Sequence, residues 1–509
     1  MTNPAREREV RAGRKEWTGL AVLALPLLLV SMDVSVLYFA VPFISRDLDP
    51  SATQQLWIFD IYGFVLAGLL LTMGSLGDRI GRRRLLLIGA VGFSLASILA
   101  AYAPSAEVLI AARAVLGIAG ATLMPSTLAL IRNMFHNAED RGKAIATWTA
   151  VMTIGVALGP VISGALLEHF WWGSVFLINV PAMILLLAVG PILLPEFRPA
   201  NPGRFDVISS LLSLGAILPL IYGIKEWAAD GFSLQYLAFI VVGLLVGAVF
   251  VQRQRVVADS ILDLSLFANR GFSASAIANS VAMFALVGNA VFLTQYLQSV
   301  LAMSPLKAAL WSLVPSIVVA AAAPLASALG AKFERAYVLA GGFLIAAAGF
   351  AIVATVHVSS PLALVLIGAG VLSGGLVAVM TLVTEVALGA IEPERAGSAS
   401  AVIETGSEFG GALGIAVLGS IGAAVYGSHV VDAIPAGTPD EARHAIGETL
   451  GGAIAVTDHL PNGGAILAAA SDAFAAGMSV EAWVGSAIMV AAAVLCAVFL
   501  RNLERHEAH

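Results

Sequence analysis

Apolar positions in this chain come in long continuous runs, not in alternation with polar ones. An α-helix needs about 20 predominantly apolar residues to cross the ~30 Å hydrocarbon layer of a bilayer. Runs of that length recur between residues 18 and 500. They predict fourteen transmembrane helices, at 18–42, 54–76, 85–102, 106–131, 143–167, 172–194, 206–225, 233–251, 271–298, 307–330, 336–357, 361–388, 397–425 and 479–500. A β-barrel is excluded, because its strands alternate apolar and polar residues.

Composition narrows the class further. Of 509 residues 59% are hydrophobic and 12% charged, with a mean hydropathy of +0.92, whereas a soluble globular chain carries about 25% charged residues. The net charge of −6 leaves no basic footprint for nucleic acid. The single cysteine, Cys496, allows neither an internal disulfide nor a cysteine-based metal site. The fold class is therefore an all-α polytopic membrane protein whose first partner is the lipid bilayer.

Charge sets the orientation. Of the 27 Lys and Arg residues, 22 fall on segments that share a side with the N-terminus, four (Arg46, Lys225, Lys307, Arg443) fall on the other side, and Arg113 lies inside a span. The positive-inside rule then places both termini in the cytoplasm of a bacterial-type plasma membrane. The first run is too long for a signal peptide and contains Asp33, so it is read as a retained helix. Residues 252–270 form an inner linker with Asp259 and Asp263. Residues 426–478 form an outer loop with Asp432, Asp440, Glu441, Glu448, Asp458 and Asp472 against Arg443. Its Ala-rich halves, split by Pro461-Asn462-Gly463-Gly464, suggest a helical hairpin lying on the membrane. Its acidity reads either as attraction for cations or as ordinary depletion of Lys and Arg.

Two places echo one another. Leu76-Gly77-Asp78-Arg79-Ile80-Gly81-Arg82 follows the second span, and Leu329-Gly330-Ala331-Lys332-Phe333-Glu334-Arg335 follows the tenth. Glycines also recur at Gly155, Gly159 and Gly164 in span five and at Gly406, Gly410 and Gly414 in span thirteen, where small residues let helix backbones approach in lipid. Both echoes are eight spans apart. They divide the chain into a tail (1–17), a six-helix half (18–195), a two-helix insert (196–251), the linker (252–270), a second six-helix half (271–500) and a tail (501–509). Paired halves around a central site are a transporter architecture.

Acids inside the bilayer carry the candidate chemistry. Each costs roughly 2.5–3.5 kcal/mol on insertion scales, so one that persists faces a cavity or a partner. Asp33 lies mid-span in helix one, Asp60 about 9 Å below the outer end of helix two, and Glu404 and Glu408 on one face of helix thirteen. Glu385 lies near the inner end of helix twelve, where it reaches water. A carboxylate that binds either a proton or an organic cation is a sufficient exchange device. The other reading is structural pairing with an Arg or hydroxyl of a neighbouring helix. Arg113 cannot be neutralised and needs an acid, for which Asp33 is the candidate. Aromatic residues that would line a cation pocket are Trp57, Phe59, Tyr62, Trp148, Phe284, Phe292, Tyr296 and Trp311, Trp148 foremost. Those near span ends, such as Trp57, Trp171 and Trp172, equally fit interface anchors. Gly159-Pro160 allows a kink or a tight helix contact.

The stretch Gly74-Ser75-Leu76-Gly77-Asp78-Arg79-Ile80-Gly81-Arg82-Arg83-Arg84-Leu85 resembles the signature loop of the major facilitator superfamily. Leu109 to Ala121, with Arg113 and Gly117, resembles the family's fourth-helix motif, with Leu116 where glutamine is usual. Gly155 to Gly164, with Gly159, Pro160 and a Ser163 in place of one glycine, resembles the fifth-helix motif of its proton antiporters. Asp33 to Pro42 and Trp57 to Tyr62 resemble the fourteen-span drug:proton antiporter branch. Glu404-Thr405-Gly406-Ser407-Glu408-Phe409-Gly410-Gly411 resembles, more narrowly, the exporters of the QacA, SmvA and LfrA type within that branch. The resemblance implies proton coupling at Asp33 and Arg113. It also implies a gate built from Gly74, Asp78, Arg79, Gly81 and Arg82, in which Asp78 docks on a helix N-terminus of the other half, with Gly155, Gly159, Pro160 and Gly164 of helix five as its further members.

No nucleotide-binding loop, HExxH or GxSxG pattern is present, so the expectation is a transporter and not an enzyme, with no cofactor and no metal. The proton gradient supplies about 1.36 kcal/mol per pH unit and about 2.3 kcal/mol per 100 mV per charge. The function expected is proton antiport that exports lipophilic cationic drugs, dyes and quaternary ammonium compounds, by a monomer. Asp33, Asp60, Glu404, Glu408, Trp148, Tyr62 and Tyr296 are the expected substrate contacts, and Asp33, Arg113, Glu404 and Glu408 the expected proton carriers. A dedicated exporter of an endogenous antibiotic or siderophore remains an alternative within the class. A receptor or scaffold that does not transport is the alternative outside it.

Overall fold

The computed structural model describes residues 11–198, 206–231, 233–257, 264–389, 396–435, 438–457, 460 and 462–499. Linker residues Asp259 and Asp263 and loop residues Asp458 and Pro461 lie outside them. Among the described residues fourteen helical spans are long and apolar enough to cross a membrane, and no strand is present.

The first half contains α1 (Arg14–Leu48), α2 (Ala52–Ile80), α3 (Arg82–Ala101), α4 (Ala106–Met134) and α5 (Ala138–His169). Its sixth span is the broken pair α6 (Ser174–Leu177) and α7 (Asn179–Leu193). The insert is α8 (Val207–Asp230) and α9 (Leu234–Val256). The second half starts with α10 (Arg270–Gln295), continued by a π-turn at Tyr296–Val300. There follow the broken span α11 (Pro305–Ser312) and α12 (Val314–Gly330), then α13 (Arg335–Ala354), α14 (Leu362–Gly389) and α15 (Ala396–Val430). After α15 come two short helices, α16 (Asp440–Glu448) and α17 (Leu450–Thr457), and the last span, α18 (Gly463–Phe499).

Helix starts are written locally. Ser51 accepts from the Gln54 N–H while Gln54 Oε1 accepts from the Ser51 N–H, a capping box at α2. Asn137 and Asn269 cap α5 and α10 more simply, their side chains accepting first-turn N–H groups with no reciprocal bond. Gly81, between α2 and α3, sits at φ +109°, a conformation open to glycine and strained for other residues.

The repeat has a packing counterpart. In the first half α5 lies on α1, with Gly155 against the Leu28 carbonyl and Gly159 against that of Met32. In the second half α15 lies on α10, with Gly410 against Ser280 and Gly414 against Phe284. Each half has its own apolar core, one spanning α1 to α7 and one centred on α10, α13, α14 and α18.

The insert belongs to neither core. Only 6% of the spanning window of α9 is buried, and Leu234, Leu244, Leu245 and Val249 are exposed, as lipid contact requires. Helix α8 lies over the line where α2 meets α15: Ile221 packs with Phe64, Ala412 and Ala416, and the Thr72 and Ser210 hydroxyls are 2.7 Å apart. Asp206 caps α8 and accepts from Arg253 of α9 at 2.9 Å. Burial pushes its carboxyl up, but hydrogen bonds from Arg253 and Ser209 outweigh it and hold the pKa at about 2. With the folded pKa below the unfolded value, this anchorage adds stability above pH ~4 and loses it as pH falls through about 2.

The last span differs from its expected bounds. Helix α18 starts at Gly463, not at residue 479, and its 37 residues are about 55 Å long. The expected hairpin is therefore replaced by α16 and α17 followed by an extension of the span itself. Tyr426 donates to the Ile446 carbonyl, and Ala445, Ile446, Leu450 and Ala453 are buried, so the 426–478 segment packs on protein.

Candidate functional site

Three helices of the first half converge on one buried charge. Arg113 of α4 is 1% exposed and Asp33 of α1 is 5% exposed. Arg113 Nη1 donates to Asp33 Oδ2, and its Nε donates to the Ile58 carbonyl of α2 at 3.2 Å. Its guanidinium carbon lies 4.6 Å from the centroid of the Tyr62 ring, a cation–π contact. A fully buried guanidinium thus has a carboxylate, a carbonyl and an aromatic face around it.

Glycines set this geometry. A Cβ on Gly117 would lie 2.7 Å from the Tyr62 carbonyl oxygen, and one on Gly120 3.1 Å from the Tyr62 hydroxyl. These gaps seat α2 close enough to α4 for the ring to cover Arg113. Leu116 is fully buried in the apolar core and makes no polar substitute for the usual glutamine. Ser163, by contrast, turns its departure from glycine into a tie: its hydroxyl donates to the Val36 carbonyl of α1 at 2.9 Å.

Other carboxylates gather at the same level. Asp60 is 1% exposed on α2. Tyr38 of α1 packs on Phe59, the residue before Asp60, with ring centroids 5.6 Å apart, and Tyr62 follows Asp60 by two residues on α2. Glu408 and Glu404 are half-buried on α15, which packs directly on α2, with the Phe64 and Phe409 rings 6.5 Å apart. Asp33 and Asp60 are thus buried on neighbouring helices of the first half, and Glu404 and Glu408 are carried by the second-half helix that packs on α2.

Two expected pocket aromatics do not join them. Trp148 donates its indole N–H to the Thr127 hydroxyl of α4 at 3.1 Å. Tyr296 is fully buried in the core of the second half and donates to the His357 carbonyl at 2.8 Å. Both ring polar atoms hold protein partners, because each aromatic sits where a helix end or neighbour offers an acceptor. Glu385 accepts from Ser327 at 2.8 Å in an exposed position.

The signature loop is held within its own half. Asp78 pairs with Arg82 at 2.7 Å, one turn apart within the first half. Arg79 is exposed, and Gly74 has only Pro125 within 4 Å of a built Cβ. The turn at Gly81 is gripped from behind by the segment after α7. The Arg82 N–H donates to Phe197, the Arg83 N–H to Glu196, and Arg198 to the Ile80 carbonyl at 2.6 Å. A Cβ on Gly81 would lie 2.7 Å from the Glu196 carboxyl carbon.

At the arginine-poor end of the bundle the halves touch. A Cβ on Gly164 of α5 would lie 2.7 Å from Leu306 Cα of α11, and Gly419 of α15 packs under Leu56 of α2. The 426–478 segment crosses the same line. Glu448 accepts from the Ala52 N–H at the start of α2 at 2.7 Å, and Gly451 abuts Ser45 of α1. Sequence reasoning took Glu448 only as one acid among several, because a contact between residues 396 positions apart leaves no local mark. A carboxylate on a helix N-terminus is worth about 0.3–1 kcal/mol. Glu448→Gln is expected to shift the open–closed balance of this end by about twofold to fivefold, read as the rate of disulfide formation between cysteines placed at Ser45 and Gly451. An unchanged rate would show that the contact carries no weight.

The family model of the Major Facilitator Superfamily matches residues 23–252 and 275–438. The chain is 45% identical over 495 residues to the multidrug efflux pump LfrA of Mycolicibacterium smegmatis, covering 97% of this chain and 98% of that protein. It is 34% identical over 472 residues to the methyl viologen resistance protein SmvA of Salmonella typhimurium, covering 90% and 93%. Among solved structures, an inward-facing, unoccupied bacterial homologue of the human lysosomal transporter Spinster aligns with a TM-score of 0.68 at 17% identity, over 97% of this chain and 98% of that one. Its relatives are drug-resistance exporters, its spans are fourteen, and its fold is theirs: this chain belongs to the Major Facilitator Superfamily.

Proposed function

We propose that this protein is a proton-coupled antiporter that expels lipophilic cations from the cytoplasm by alternating access. The observation that carries the reading is the burial of Asp33 and Asp60 with Arg113 fixed against Asp33, beside α15, which brings Glu404 and Glu408 from the other half onto α2. Protons and an organic cation compete for such carboxylates, and competition for one site is enough to exchange one for the other. Tyr62 and Tyr38 offer aromatic faces beside the acids, which suits a quaternary nitrogen. The name of the SmvA relative points the same way, since methyl viologen is a bis-quaternary cation.

Both termini lie in the cytoplasm in this reading, so the arginine-poor end faces outward and the structure is closed to the outside. The halves 18–195 and 271–500 rock about the central acids, and a monomer suffices. Glu404 and Glu408 supply the second half's share of proton or cation binding. Asp78, here paired with Arg82 in its own half, is free to engage the other half in the opposite state.

Purified protein in liposomes loaded with a pH dye tests the reading. Ethidium or tetraphenylphosphonium added under an imposed proton gradient is expected to move protons in step with the cation. A folded protein that moves no proton with any lipophilic cation would overturn cation antiport and favour export of a neutral or anionic product.

A further inference from the structure

One buried acid has no place in the site above. Glu481 lies in α18, is fully buried, and neither of its carboxyl oxygens has a hydrogen-bond partner among the described residues. Its surroundings are built to enclose it. One turn before it, a Cβ on Gly477 would lie 2.7 Å from the Gly422 carbonyl oxygen of α15. One turn after it, a Cβ on Gly485 would lie 2.7 Å from the Phe350 ring of α13. Two turns before it on the same face, the Phe474 ring lies 5.9 Å from that of Phe292 on α10. Glu481 therefore points into the seam where α10, α13 and α15 meet α18. Asn289, one turn from Phe292, is 4% exposed and its Oδ1 likewise has no donor.

We propose that Glu481 is a second proton-binding site, carrying a transported proton inside the second half. The proposal rests on the antiport reading for the word transported, but not for the binding itself. An ionised carboxylate with no partner in so enclosed a seam is untenable, whereas a carboxylic acid fits there and offers the O–H donor that a seam with an orphaned acceptor lacks. No lysine or arginine of the described residues on the elements packed against α18 is at hand to take the proton's place. Arg270 of α10 and Arg335 and Tyr337 of α13 lie at the far ends of their helices, and α17 carries no titratable group. His429 of α15 is exposed with its Nδ1 2.8 Å from the Val425 carbonyl, Asp432 just beyond α15 is exposed, and His357, three residues past α13, is exposed with its Nδ1 2.8 Å from the Ser360 hydroxyl. The Tyr296 and Tyr426 hydroxyls are committed to the His357 and Ile446 carbonyls. Glu408 of α15 lies about 15 Å further along the axis, by residue count from the Gly422–Gly477 contact. Release breaks the carboxyl O–H bond and passes the proton to water, which requires the α15–α18 seam to open; reloading from the other side restores the acid. Because α15 also carries Glu404 and Glu408 and packs on α2, opening that seam is tied to the movement of the halves.

Infrared difference spectra between pH 6 and pH 10, taken on the full chain in lipid, test the binding. The wild type is expected to lose a carboxylic C=O band on alkalinisation that Glu481→Gln lacks. Superimposable spectra would overturn the proposal. Should the Gln variant fail to fold, Glu481→Leu, which fills the space without a polar group, supplies the same comparison. In liposomes the variant is expected to move one proton fewer per tetraphenylphosphonium than the wild type; an unchanged ratio overturns a transported role. If the wild type moves no protons with any cation, antiport itself fails, and the infrared bands still decide Glu481.

Discussion

Asp33→Asn is expected to leave a folded, inserted protein whose proton-driven efflux falls to background. Removing one partner of a buried ion pair costs about 3–5 kcal/mol because the other charge is stranded. Here Arg113 keeps the Ile58 carbonyl and the Tyr62 ring, and an asparagine oxygen still accepts from Nη1, so the loss belongs at the lower end of that range. The structural and coupling readings of the pair then separate in the double variant Asp33→Asn/Arg113→Gln. Neutral partners restore stability under either reading. If the pair is only structural, efflux returns with it; if Asp33 exchanges protons, efflux stays at background. Thermal unfolding and dye efflux on the same three proteins make the comparison, and recovery of efflux in the double variant would remove Asp33 and Arg113 from the coupling mechanism.

Gly164→Ala is expected to open the arginine-poor end. The added methyl would sit 2.7 Å from Leu306 Cα and 2.9 Å from its nitrogen, both main-chain atoms with no rotamer in which to withdraw. Overpacking costs about 1–3 kcal/mol, and because the contact exists only while the halves touch, the cost falls on the closed state alone. The equilibrium should move by about 5- to 150-fold toward the open state. A cysteine at Ala412, in the α2–α15 contact, with Cys496 replaced by serine, reports this as faster labelling by a membrane-impermeant maleimide. Gly142→Ala, whose Cβ would meet nothing within 4 Å, is the control. Equal labelling in both variants would mean that Gly164 does not govern closure.

Much of this architecture was legible before any coordinates. Fourteen spans could be counted because a bilayer demands continuous apolar length, which is a local property of the chain. Asp33 could be matched with Arg113 because an arginine inside a span cannot discharge and must find an acid. The glycine echoes marked two helix pairs, α1 with α5 and α10 with α15, since only small residues allow such approach. Where the reading fell short, the missing fact was which neighbour or helix end the fold supplies, as when Glu448 meets Ala52. Glu481 was not singled out in the sequence, where it falls two residues after the expected start of its span at 479. Only the earlier start of α18 at Gly463 shows it deep in the helix and enclosed. Asp78 was expected across the halves; the partner described for it is Arg82, one turn further along the chain.

Hydropathy and charge alone thus determined the class, the span count and which residues were too costly to be idle, because each of those follows from the transfer of a residue into lipid. Tertiary structure decided which costly residues meet. It put Tyr62 over Arg113, turned Tyr296 toward His357, laid the insert along the α2–α15 line and brought Glu448 to the start of α2. Those outcomes depend on how each helix is rotated about its axis and which neighbour it finds, and lipid, being uniform around every helix, writes neither into the sequence.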